Sequence, residues 1–74
     1  MSTKGQHVIP TGGHWAVRRA GSERASGVYE TQREAISAAR TIARNNGADL
    51  FIHGRDGRIR DYETYGKDTL SPKG

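Results

Sequence analysis

Apolar and polar positions alternate through the first part of the chain and then switch to a helical spacing. His14-Trp15-Ala16-Val17-Arg18-Arg19 sets Trp15 and Val17 against His14, Ala16 and Arg18, the two-residue period of a half-buried strand. The β-prone run His7-Val8-Ile9-Pro10 precedes it, and Thr11-Gly12-Gly13 between them is turn chemistry, so the segment predicts a hairpin whose buried face carries Trp15 and Val17. Its register stays open, because Pro10 lacks a ladder donor and either Thr11-Gly12 or Gly12-Gly13 can form the tight turn. Ala20-Gly21-Ser22-Glu23 is a polar turn, and Arg24 to Glu30 returns as a third, weaker strand.

Thr31-Gln32-Arg33-Glu34 fits a capping box and starts a helix at Gln32. Ala35, Ile36, Ala39, Ile42 and Ala43 fall in one sector of about 120° at 100° per residue, the stripe that faces a core. Gly47 after Asn45-Asn46 ends the helix as a left-handed cap. Leu50-Phe51-Ile52-His53 then reads as a strand with Leu50 and Ile52 on one face and Phe51 and His53 on the other. Asp56-Gly57 is the signal for a type I′ hairpin turn, and Arg58-Ile59-Arg60 returns. The order is β-β-β-α-β-β, an α+β fold in which a small antiparallel sheet is covered on one face by one helix. The expected organisation is an unstructured start over 1–6, a single domain over 7–61 and a C-terminal tail over 62–74.

Composition sharpens that picture. Of 74 residues 24 are apolar and eight of those are alanine, so the core is thin and there is room for one domain only. The absence of cysteine excludes a disulfide framework, a thiolate nucleophile and a cysteine-ligated zinc site, and points to a reducing compartment. No apolar run reaches membrane-spanning length and residues 1–20 lack the apolar centre of a signal peptide, so the expectation is a cytoplasmic protein with no membrane partner. The net charge of +4 lies entirely in residues 1–48, with seven basic side chains against three acidic, while 49–74 is balanced. Nine of the twelve basic residues are arginine, whose planar fork suits phosphate and carboxylate.

Several stretches together resemble a family of small bacterial and phage-borne proteins known as domain of unknown function 2188. They are His7-Val8-Ile9-Pro10, Gly13-x-Trp15-x-Val17, Arg24-Ala25, Thr31-Gln32-x-Glu34-Ala35, Ala39-Arg40, and Ile52-His53-Gly54-Arg55-Asp56-Gly57-Arg58-Ile59-Arg60. The ending is similar too, in Tyr65-Gly66, Asp68 and Pro72-Lys73-Gly74, although Lys67 and Leu70-Ser71 depart from the family's pattern. The resemblance implies a sheet with one helix. It brings no assigned activity and no catalytic residue.

The candidate chemistry is sparse. His7, His14 and His53 lack metal-ligand spacing and adjacent carboxylates, so no metal or other cofactor is expected; His53 is placed to bond the backbone of the Asp-Gly loop. The serines, mostly in turns or tails, form no recognisable set with a base and an orienter, and the glycine pairs belong to hairpins rather than to a phosphate loop, so the chain reads as a non-enzyme. Arg33, Arg40 and Arg44 share one helix ridge, spaced to track phosphates, with Arg18, Arg19 and Arg24 as additions from the strands. The competing reading is a solvated helix face in which Arg33 pairs with Glu30 or Glu34. Phe51 and Tyr29 are the rings left for the surface, and no pattern of an RNA-stacking sheet is present.

Two functions follow. The first is sequence-independent nucleic-acid binding by Arg33, Arg40 and Arg44, helped by Arg18, Arg19 and Arg24. The alternative is a protein-interaction module, homodimeric or directed at a host or phage protein, with Phe51, Tyr62 and Tyr65 at the contact.

Overall fold

The computed structural model describes residues 5–65. The strands are β1 (Gln6–Thr11), β2 (His14–Arg19) and β3 (Ala25–Tyr29), followed by the helix α1 (Gln32–Asn46) and by β4 (Asp49–His53) and β5 (Ile59–Thr64). They form one sheet in the order β3-β2-β1-β4-β5, with β1 in the middle.

The first hairpin turns on Gly12-Gly13, with φ of +54° and +86°, and Thr11 opposite His14. A type I′ turn needs positive φ at both central residues, which threonine at position 11 would resist. His7 consequently faces Arg18, and His14 lies at the far end of the hairpin from it. β2 and β3 are antiparallel with a register shift at Val17/Arg18.

The sheet is mixed rather than antiparallel throughout. β1 and β3 both run opposite to β2, and the helix that links β3 to β4 reverses the chain twice, so β4 runs parallel to β1, with Gln6 beside Leu50 and Val8 beside Ile52. The second hairpin also departs from expectation. Gly57 has φ +85° but Asp56 does not have positive φ, and the Gly57 N–H donates to the Gly54 carbonyl at 2.9 Å. The turn therefore runs over Gly54–Gly57 and closes on one left-handed glycine, instead of a two-residue type I′ turn at Asp56-Gly57.

The domain extends past both expected limits. Gly5 is buried and accepts from the Ala20 N–H at 2.7 Å, Gln6 opens β1, and β5 continues to Thr64, so Tyr62 and Tyr65 belong to the domain and not to a tail. The segment 66–74, with the ending that matches the family pattern, lies outside the described residues.

Local signals set α1. The Thr31 hydroxyl accepts from the Glu34 N–H at 3.1 Å, and Gly47, with φ +62°, donates to carbonyls of the last turn. Ala35, Ala39 and Ala43 are fully buried, so mainly methyl groups separate the helix from the sheet. The sheet supplies the bulk of the core, with Val8, Trp15, Val17, Leu50 and Ile52 on the covered face and Tyr29, Ile36, Ile42 and Tyr65 packed around them. Tyr29 thus shares the face of Trp15 and is not a surface ring. Each large aliphatic side chain buried in this way contributes about 1.5–3 kcal/mol. Among the described residues no helix is long and apolar enough to cross a membrane.

Candidate interaction face

The period of the strands decides what the other face of the sheet carries. Because Val8, Val17, Leu50 and Ile52 point to the helix, their alternates His7, Ile9, Ala16, Arg18, Phe51 and His53 point away from it. β3 adds Ala25 and Val28 through their pairing with Arg18 and Ala16, and β5 adds Tyr62 and Ile59 through Phe51 and His53. Two rows cross the helix-free face. One runs Ala25, Arg18, His7, Phe51, Tyr62; the other runs Val28, Ala16, Ile9, His53, Ile59. The large hydrophobic side chains that the fold leaves exposed, Val28 at 57%, Ile59 at 54% and Tyr62 at 51%, all stand here. A single solvated apolar residue needs no explanation, but a group of them on one face does.

The rings of the first row stack on one another. His7 and Phe51 have centroids 4.8 Å apart with planes 20° from parallel, and Phe51 and Tyr62 have centroids 5.0 Å apart at 34°. Those separations are close to the distance between neighbouring strands. The rings therefore stand upright on the sheet and show their edges to solvent, while their flat faces are spent on one another. A base-stacking platform needs the opposite arrangement, with flat faces turned outward.

His7 is tied to His53, Nδ1 to Nε2 at 2.9 Å, and His53 Nδ1 lies 3.0 Å from the Gly57 carbonyl. A carbonyl only accepts, so His53 carries its proton on Nδ1, leaving Nε2 to accept from His7 Nδ1–H. Partial burial is the first reason that the His7 pKa lies below its ordinary value, with His53 and Arg18 adding to it. The loop-bonding role expected of His53 is present, whereas the His7 contact comes from strand β4 and has no local signature in sequence. Among the described residues no three His, Cys, Asp or Glu side chains group as metal ligands.

The arginines are scattered. Arg40 is held by Glu63 of β5 in a bidentate pair, Nε to Oε1 at 3.0 Å and Nη2 to Oε2 at 2.7 Å. That pair, with a further hydrogen bond from Tyr65, keeps the Glu63 carboxyl below the ordinary carboxylate range, and the same bond raises the Tyr65 hydroxyl. The Arg44 guanidinium lies 5.8 Å from the centre of the Tyr65 ring. Arg33 is the member of the helix ridge with no ion pair or aromatic partner among the described residues. Arg18 stands on the helix-free face, Arg19 on the opposite face beside Gln6, Ser26 and Asn46, and Arg24 is exposed ahead of β3. A cleft of about 560 Å³ between α1 and the second hairpin brings Arg40 together with Arg55 and Arg60, and with Glu30 and Asp61 as counter-charges.

Of the three expected contact residues, Phe51 and Tyr62 lie side by side on the helix-free face, and Tyr65 packs instead against the core on the helix side. Sequence reasoning did not single out His7, Ile9, Val28 and Ile59 as part of this face. The alternation of β1 and β3 could have placed Ile9 and Val28 opposite the core residues, but not beside Phe51.

A family model described as an uncharacterized protein conserved in bacteria (DUF2188) matches residues 6–65. Among curated proteins, the uncharacterized protein YdaT of Bacillus subtilis (strain 168) is 35% identical over 60 residues, which cover 81% of this chain and 40% of that relative. The chain thus spans well under half the length of that relative. No solved structure matches.

Proposed function

The chain belongs to the DUF2188 family of bacterial proteins, and from that premise we propose that it is a non-catalytic protein-interaction module that docks through the helix-free face of its sheet. The observation that carries the reading is that Val28 on one edge strand and Ile59 and Tyr62 on the other, all more than half exposed, lie on the same face as the stacked row His7–Phe51–Tyr62. Ring edges and branched aliphatic tips form a corrugated apolar surface, which gains most when packed against another apolar surface.

The phosphate-binding reading has less support. Two of its three ridge residues are engaged within the chain, Arg40 by Glu63 and Arg44 by Tyr65, and the strand arginines are divided between the two sheet faces. A photo-cross-linking amino acid placed at Tyr62, and separately at Arg33, tests the proposal in bacterial cells producing the chain. A protein adduct from position 62 and none from position 33 is the expected result. Nucleic-acid adducts from position 33, with salt-sensitive binding of duplex DNA or RNA that disappears when Arg33, Arg40 and Arg44 are all changed to glutamine, would overturn it.

A further inference from the structure

We propose that the occupant of the helix-free face is a second copy of this chain, packed sheet on sheet about a two-fold axis that runs along β1. The inference rests on the docking role of that face and names its partner.

The face is divided into a bulky half and a small half, with β1 as the divide. β4 and β5 contribute Phe51, His53, Ile59 and Tyr62; β2 and β3 contribute Ala16, Arg18, Ala25 and Val28. β1 is the middle of five strands. Turning one copy over about the β1 direction lays its β4 on the other's β2 and its β5 on the other's β3. Along the first row, Tyr62 then meets Ala25 of the second copy and Phe51 meets Arg18. Along the second, Ile59 meets Val28 and His53 meets Ala16. Phe51, His53 and Tyr62 each face a small side chain or a guanidinium, the exposed aliphatic residues Ile59 and Val28 face each other, and on the axis His7 and Ile9 each meet their own copy. An isologous interface must be self-complementary in this way.

Charge points to the same occupant. Arg18 on β2 and Asp49 on β4 lie on opposite sides of β1, at neighbouring levels of the sheet. The same rotation brings each Arg18 over the β4 of the other copy, with Asp49 two residues along from Phe51, about 7 Å by the rise of a strand and within arginine's reach. Two symmetric ion pairs would then border the apolar centre, and neither copy would leave an unmatched charge there. Size is compatible as well. Five strands at about 4.8 Å and six residues at about 3.3 Å give a face of about 24 by 20 Å. Its projected area of about 480 Å² per partner puts the pair near the ~1,000 Å² in total that a specific interface should clear.

Sedimentation equilibrium of the whole chain from micromolar to millimolar concentration tests the proposal. The expected result is a reversible dimer. Val28→Glu weakens it at least about tenfold, as does Arg18→Asp, and the double exchange Arg18→Asp with Asp49→Arg recovers most of the lost association. Val28 is exposed in the single copy, so Val28→Glu keeps its circular dichroism and remains informative if a charge variant fails to fold. A dimer that Val28→Glu and the charge exchange leave intact would overturn the proposal in favour of pairing through an edge strand. A chain monomeric at millimolar concentration overturns it too. If the cross-linker at Tyr62 still captures a different protein, the docking role of the face stands without the second copy; if it captures none, both readings fall.

Discussion

The two faces of the sheet are built from alternate residues of the same five strands, yet they solve different problems. The covered face is aliphatic and closed by a helix that offers mainly methyl groups, so that Val8, Val17 and Leu50 have no exposure at all. The open face has no layer above it and is mixed: its apolar side chains stand among His7, Arg18, Asp49 and His53, and its rings cover one another as far as a single row allows. Burial by α1 explains the composition of the first face. Nothing within the described chain covers the second, which keeps Val28, Ile59 and Tyr62 exposed among the polar residues that a sheet with one dry face ordinarily turns outward. Folding accounts for one face; the other is the face for which association is proposed.

The largest expected effect breaks that comparison directly. Leu50→Ala should cost about 2–5 kcal/mol in chemical denaturation, because the vacated space lies between helix and sheet where neither can collapse. Tyr62→Ala, on the open face, should change the stability of the dilute monomer by less than about 1 kcal/mol. Equal losses would mean that the open face is part of the folding core. Ala39→Leu comes next, at about 1–3 kcal/mol, since a longer side chain there must lift the helix from the strands. Thr31→Ala should cost about 1 kcal/mol through the lost cap, with the open face unaffected.

Two smaller effects are read from pH. The folded protein holds His7 neutral more readily than the unfolded chain does, its pKa lying below 6.5. The stabilising contribution is therefore complete above pH 6.5 and is lost as acid protonates the unfolded chain first and then the folded one. The groups that act on this imidazole are Arg18 from β2 and His53 from β4, with the rings of Phe51 and Tyr62 beyond. His7→Phe keeps the stacked row, and its thermal midpoint should vary less between pH 7 and pH 5 than that of the parent. Glu63 acts at lower pH with the same sign, since its pKa is below 4.5 in the folded state: its contribution is present above that value and disappears on further acidification. Glu63→Gln should remove this acid-side slope and cost about 1 kcal/mol or less at neutral pH, because the Arg40 side chain is partly exposed.

The parts legible in sequence share one property: the residues that decide them are close together in the chain. Thr31 and Glu34 bound α1, Gly47 ends it, and the five core-facing positions of the helix follow from its period. The alternation of Trp15 with Ala16 and of Leu50 with Phe51 assigns faces strand by strand, which is why Phe51 could be placed opposite the core. The turn at Gly12-Gly13 was open in sequence because both alternatives satisfy local chemistry, and the register of β1 against β2 chose between them.

The candidate site depends on what lies next to what. His7 and His53 are 46 residues apart and meet only because the helical crossover sets β4 parallel and adjacent to β1. Arg40 and Glu63 are 23 residues apart and pair only because β5 is the strand flanking that side of the helix. Sequence by itself determined the order of the elements, the caps of α1 and the alternation of faces within β2 and β4, since backbone dihedrals and capping bonds are settled within a few residues. Tertiary structure alone decided the order of the strands, which arginines are already engaged, and that Val28, Ile59 and Tyr62 share one face, because strand pairing joins segments whose separation along the chain carries no record of their distance in space.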